Sequence, residues 1–311
     1  MRVSMIPTKS FANIKRIESP PVRTQFMIFA LFGDFLLGRV DEIWTSDLLY
    51  LMGLLDISER AVRLTLSRMT KKGWLVAGKY GRRSHYSLSG RGRDLLIRGR
   101  SRIFEPVTKS WDGQWHMLVY SLPEKLRSIR HALRTQLSWL GFGSLSPGIW
   151  ISPHDLTNEL EGIVLELEIT SRVNLFTSTY LGPSTPQSLV EQCWDLSNIE
   201  AQYRKFVYQY REEYEKLLNG GDRLGPEKSF IRQFWLTHSF QSFPLKDPNL
   251  PIELLPNNWI GIAARELFDN YHQLLSDSAN RFVNDVLKEK KQKRLPPLSN
   301  DLSVPFLGAR R

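Results

Sequence analysis

Residues 58–72 constrain this chain more than any other stretch, because at 100° per residue they divide into two faces of opposite character. Val62, Leu66 and Met69 fall together and form a core side, while Arg60, Arg63, Leu64, Ser67 and Lys71 share the opposite side, with Arg68 and Lys72 on its flank. Ser58 stands where an N-cap is needed and is counted with the outward residues; Gly73 follows the helix as a stop. One face must pack on a scaffold, and the other offers bidentate guanidinium donors, a hydroxyl and an apolar tip. That split suits a helix lying in the major groove of DNA. A solvated basic face is the plainer reading of such a helix taken alone.

Its surroundings favour the first reading. Pro20-Pro21 opens a long apolar helix from Val22 to about Leu37, closed by Gly38, and a second helix starts near Thr45 or Ser46, either a suitable N-cap, and runs to Leu55. After residues 58–72 come two strand-like runs, Trp74–Lys79 and Ser84–Leu88, joined by Tyr80-Gly81-Arg82-Arg83, a hairpin whose basic tip suits phosphate contact through Arg82 and Arg83. A further helix follows Ser89. Charge is distributed accordingly. The formal net charge is +10, yet residues 1–104 carry 19 Lys and Arg against 8 Asp and Glu, so the whole positive excess lies in the first third. A domain-sized basic block points to a polyanionic partner.

Beyond a composition shift near Glu105–Gly113, the pattern is a strand at Trp115–Tyr120, then a capping box at Ser121-Leu122-Pro123-Glu124 with a helix to about Leu140. Strands at Ser144–Leu145 and Ile149–Ser152 follow, then a helical stretch at Asp155–Leu160. Gly162–Ile169 is ambiguous between helix and strand, and a strand at Val173–Tyr180 closes the series. This β-α-β-α-β series suggests a small ferredoxin-like sandwich. Gly182-Pro183-Ser184-Thr185-Pro186 reads as a linker. Helical patterns then cover Leu189–Leu218, broken once near Ser197, Pro226–Phe240 and Trp259–Leu287, with a Pro-rich turn at Asp247–Pro256. The expectation is therefore an α+β protein. It has a winged helix-turn-helix at 20–104, a ferredoxin-like α/β domain at 105–182 and a helical domain at 188–287, between loose segments at 1–19 and 288–311.

Function classes narrow further. No apolar run is long enough to span a bilayer, the first residues lack a basic-then-apolar export signal, and the single cysteine, Cys193, forms no internal disulfide. These features fit a cytoplasmic protein without a membrane partner.

The chain also resembles the PaaX family of bacterial repressors. The resemblance rests on Phe32-Gly33-Asp34, on Arg63-Leu64-Thr65-Leu66-Ser67-Arg68-Met69 with Gly73-Trp74-Leu75, and on Gly81-Arg82-Arg83-Ser84-His85-Tyr86. Trp111-Asp112-Gly113-Gln114-Trp115, the long block from Leu137 to Pro153, and Asp247-Pro248-Asn249-Leu250-Pro251 through Pro256 with Trp259 extend it over roughly residues 20–285. Two departures stand out: Arg232-Gln233-Phe234-Trp235-Leu236 where the family commonly has Trp-Arg-x-Phe, and Ile260-Gly261 where it has Pro-Gly. The resemblance implies a homodimeric repressor of aromatic-compound catabolism on double-stranded DNA, released by an aromatic effector of the phenylacetyl-CoA type. It implies no cofactor, and no residue is assigned to catalysis or metal.

Where such an effector would sit is read from the middle of the chain. Arg127, His131 and Arg134 share a helix face, with Arg130 at its border; these cations are expected to hold the phosphates of a CoA thioester while Trp139 or Trp150 lines an aryl pocket. A solvated or subunit-contacting face is the commoner arrangement for such cations, and tryptophans are more often core. Two other function classes remain in view. A nuclease using the ferredoxin-like domain would need a carboxylate at the end of its first strand, but Val119-Tyr120-Ser121 has none, and no nucleophile elbow, paired-cysteine motif or His-Glu-x-x-His occurs. A non-specific nucleic-acid binder would show steep salt dependence without preference among sequences.

Overall fold

The computed structural model describes residues 24–104, 110–220, 224–243 and 246–292; the segment 1–19 and the greater part of 288–311 lie outside these described residues. Helix α1 (Thr24–Leu31) runs on not as an α-helix but as a π-helical turn, Phe32–Leu36, closed by a Leu37 N–H bond to the Phe32 carbonyl at 2.7 Å. The widened turn carries Asp34 and is followed by Gly38, whose φ of +77° suits a residue without Cβ. A three-residue strand β1 (Glu42–Trp44), unanticipated by the sequence pattern, leads into α2 (Thr45–Gly53). Neither Thr45 nor Ser46 caps that helix. The Thr45 hydroxyl bonds the Ser84 carbonyl at 2.9 Å instead, tying α2 to the hairpin.

Helix α3 (Glu59–Lys71) begins as expected, with the Ala61 N–H donating to the Ser58 hydroxyl at 3.4 Å. Because that bond is long, Ser58→Ala is expected to cost only about 0.5–1 kcal/mol in urea unfolding. Strands β2 (Leu75–Tyr80) and β3 (Arg83–Leu88) pair in register with Tyr80 opposite Arg83, so Gly81 and Arg82 alone form the connection, and the three strands order as β1-β3-β2. Helix α4 (Gly90–Phe104) leaves the hairpin through Ser89, whose hydroxyl accepts from the Gly92 N–H at 2.9 Å and donates to the Gly73 carbonyl at 2.6 Å.

The middle of the chain forms a second sheet from β4 (Gln114–Tyr120), β5 (Gly143–Ser146), β6 (Ile149–Ser152) and β7 (Val173–Thr179), antiparallel in the order β5-β6-β4-β7. Helices α5 (Arg127–Trp139) and α6 (Thr157–Glu166) cover one face around Leu118, Leu133, Leu137, Trp150 and Leu160. The ambiguous stretch after Leu160 is thus helical as far as Glu166. The expected capping box does not form. A 3-10 turn (Glu124–Leu126) precedes α5, and the Glu124 carboxylate is taken by Arg130 at 2.5 Å. The other sheet face, around Trp115 and Ile151, is closed by α7 (Pro186–Cys193) and a 3-10 turn at Ile252–Leu254.

Helices α8 (Ser197–Leu218), α9 (Pro226–Phe240) and α10 (Ile260–Gln292) complete the chain. Since α10 reaches Gln292, the loose tail expected from Lys288 does not begin there. These helices divide their apolar residues between two cores. Tyr203, Phe206, Tyr210, Phe240, Phe268 and Tyr271 pack among themselves, whereas Phe230, Phe234, Ala279 and Val283 join Met27, Phe35, Leu48 and Leu66 in the N-terminal core. The N-terminal unit is therefore seated on the C-terminal helices by shared apolar burial.

Candidate nucleic-acid interface

The two faces of α3 are realised as the periodicity dictates. Val62, Leu66 and Met69 are wholly buried, and Arg60, Arg63, Ser67, Arg68 and Lys71 are exposed; Leu64, at 51% exposure, is an apolar tip held out in solvent among cations. Among the described residues that tip stays half exposed, which suits contact with a thymine methyl. Arg63 lies 3.5 Å from Glu59 one turn back, with both side chains exposed. Such a surface pair is weak and yields readily to a phosphate or a base edge. Lys72 is placed differently: its ammonium lies 4.5 Å above the Trp74 ring and 3.5 Å from the Gln25 side-chain oxygen, so it also fastens the helix end to α1 and the hairpin. Arg82 and Arg83 are exposed at the hairpin tip. Tyr80, 62% exposed and stacked on His85 at 4.8 Å, joins them there, and His85 is held by Glu42 at 3.2 Å. In the sequence Tyr80 falls in the stretch that joins the two strand-like runs, whereas pairing with Arg83 fixes its place at the end of β2.

The residues expected to bind an effector differ in their surroundings. Arg127, His131 and Arg134 are exposed on α5, and Trp139 is 59% exposed. Arg130 is half-buried, spanning the Glu124 carboxylate and the Leu122 carbonyl at 3.2 Å, which gives it a local structural task. Trp150, 5% exposed, belongs to the core beneath α5 and α6. Of these six, Trp150 alone also borders a cavity of about 410 Å³, which opens between the central sheet and the C-terminal helices and is otherwise lined by residues such as Phe142, Trp194, Gln202 and Lys246. No local pattern announces that lining, because it is drawn from segments far apart in the chain.

A polar junction links the N-terminal unit to the C-terminal helices. The Asp34 side chain, 5% exposed, accepts from the Thr237 hydroxyl at 2.8 Å, the Gln233 amide at 3.2 Å and the His272 Nε2 at 2.8 Å. Since that imidazole nitrogen must carry hydrogen to donate to the carboxylate, the 3.0 Å approach of the Gln233 amide nitrogen to it is proximity rather than another hydrogen bond. Phe104, at the end of α4, sets its ring edge against the His272 ring at 5.2 Å. Among the described residues, no group of three or more His, Cys, Asp or Glu is placed to hold a metal ion, and no helix is long and apolar enough to cross a membrane.

This three-part arrangement is matched part by part in known proteins. The family model described as "PaaX-like protein" matches residues 23–92, that of the "PaaX protein central Cas2-like domain" matches residues 108–190, and that of the "PaaX-like protein C-terminal domain" matches residues 194–285. The chain belongs to the PaaX family. It is 35% identical over 272 residues to the "Transcriptional repressor PaaX" of Escherichia coli (strain K12), an alignment covering 86% of this chain and 85% of that protein. Among solved structures it resembles the "Uncharacterized protein Rv0674 from Mycobacterium tuberculosis", with 26% identity, a TM-score of 0.56, and coverage of 82% of this chain and 97% of the other.

Proposed function

We propose that this protein is a transcriptional repressor, a regulator rather than an enzyme, whose N-terminal unit works as a winged helix-turn-helix and whose central unit is a ferredoxin-like domain. Two copies place their α3 helices in successive major grooves, about 34–36 Å or a multiple apart, on a near-palindromic operator in the cytoplasm. Repression comes from occupying a promoter of an aromatic-compound catabolic operon. An aromatic catabolite, an aryl-CoA thioester such as phenylacetyl-CoA, relieves it by binding the DNA-incompetent arrangement more tightly. The observation that carries this reading is the outward face of α3, where Arg63, Ser67 and the solvent-held Leu64 stand over a fully buried inner row.

Arg63→Ala and Ser67→Ala test it. Each is expected to weaken operator binding, measured by fluorescence anisotropy, by about 1–3 kcal/mol, the cost of losing a base contact. Binding to random DNA should change far less with Ser67→Ala than with Arg63→Ala, because the hydroxyl carries no charge. Unfolding midpoints should not move, since both side chains are exposed. Operator affinity unchanged in both variants would remove α3 from the reading role.

A further inference from the structure

We propose that the cleft between the central sheet and the C-terminal helices is the effector site, and that it takes an aryl-acyl group carrying a carboxylate or thioester carbonyl. This rests on the effector-released repressor proposed above and locates its sensor. The cleft holds about 410 Å³ and is walled by Phe142 and Trp150 from the central domain and by Trp194 from the segment leading into α8. The Trp194 ring is fixed in place. Its indole N–H donates to the Gly141 carbonyl at 3.0 Å, and a Cβ on Gly143 would lie 2.6 Å from the ring, so that glycine leaves the room the indole fills. The aromatic part of this lining favours a planar ring, and Ser138, Ser144 and Asn198 form a polar part beside it.

The mouth supplies the polar half. Lys246 is exposed there, its ammonium held by the Gln202 side-chain oxygen at 2.8 Å. Asp195 also lies on the rim, but its carboxylate is already engaged by the N–H and hydroxyl of Ser197 at the start of α8. One oriented ammonium beside an amide is the recognition chemistry of a carboxylate or acyl oxygen. The cavity is at the small end of ligand sites, so it holds a one-ring acyl group, and the nucleotide of a thioester would extend past Lys246 into solvent.

Occupation would reach DNA by a continuous route. Gln202 lies on α8, which shares a core with α9 and α10, and those two helices bury Phe230, Phe234, Ala279 and Val283 in the N-terminal core and clasp Asp34. A ligand that wedges between the central domain and α8 therefore biases the seat of the N-terminal unit.

Cys193 gives this site its own reporter, because it is the single cysteine of the chain, lines the cleft and is half-buried. Burial pushes its thiol up to about 11, so alkylation by N-ethylmaleimide is slow and can be followed by intact mass. Full-length protein is treated with phenylacetate, phenylacetyl-CoA or desulfo-coenzyme A. At about ten times Kd, the acid or the thioester should slow alkylation about tenfold, by mass action, and desulfo-coenzyme A should not. Protection by the acid assigns the site to free acids as well; protection by the thioester alone assigns it to the activated form. Lys246→Gln, at an exposed position, should raise the concentration needed by about tenfold, the loss expected for one charge-assisted contact. Absence of protection by both aryl compounds, or protection indifferent to Lys246→Gln, overturns the proposal. Release of DNA by the thioester with Cys193 unprotected would discard the site and keep the repressor; protection without release would keep the site and discard its regulatory role.

Discussion

Gly92→Ala is expected to destabilise the N-terminal unit by about 3 kcal/mol or more, at the upper end of what an inserted methyl costs in a packed setting. A Cβ at this position in α4 would lie 2.0 Å from the Trp74 carbonyl oxygen and 2.9 Å from its carbon. That carbonyl has little room to yield, because it accepts the Ser89 N–H at 3.0 Å, the bond that turns the hairpin into α4. Alanine's better helix propensity returns only about 1 kcal/mol, so the collision wins. Gly99, in the same helix with nothing within 4 Å of its missing Cβ, separates the two effects. Gly99→Ala should be neutral or stabilising by up to about 1 kcal/mol. Urea unfolding of the pair checks the argument, and equal changes at both glycines would contradict it.

The second large effect is expected at Asp34. Asp34→Ala leaves the donors on Thr237, Gln233 and His272 unpaired at a buried junction, at about 2–4 kcal/mol in total. Thr237→Val removes one donor and should cost less. In a double-mutant cycle the two changes should be strongly non-additive, because they share one hydrogen bond. Additive losses would mean that Asp34 acts elsewhere. The same variant bears on function, since Asp34 belongs to the N-terminal unit and its partners to α9 and α10. Effector-dependent release of DNA should weaken in Asp34→Ala even at temperatures where the protein remains folded.

What was legible in the sequence follows from the range of the interactions involved. The two faces of α3 were readable because a 3.6-residue period is a local property, and Val62, Leu66 and Met69 are buried as it requires. Gly73, Gly81 and the break before Ser197 were readable because backbone geometry at a helix end or tight turn selects few residue types. The π-turn at Phe32–Leu36 was not, since the Asp34 it carries meets its partners, Gln233, Thr237 and His272, some 200 residues away. Strand β1 leaves no local signal, because its three residues are too few to alternate and depend on β3 for pairing. Thr45 and Glu124 had the right identity for caps but found better partners in Ser84 and Arg130. The family motifs place the chain among its relatives, yet none of the cations on α5 lines the cleft that Trp150 borders, which spacing along the chain does not reveal.

The most direct test of the central claim is a gel-shift titration of the full-length protein against its own upstream intergenic DNA in the presence of excess random competitor. A competitor-resistant complex is expected on that DNA, lost when Arg63 or Ser67 is replaced by alanine. A complex that random DNA removes as readily as specific DNA would reduce the N-terminal unit to a non-specific basic surface and contradict the claim that α3 reads sequence.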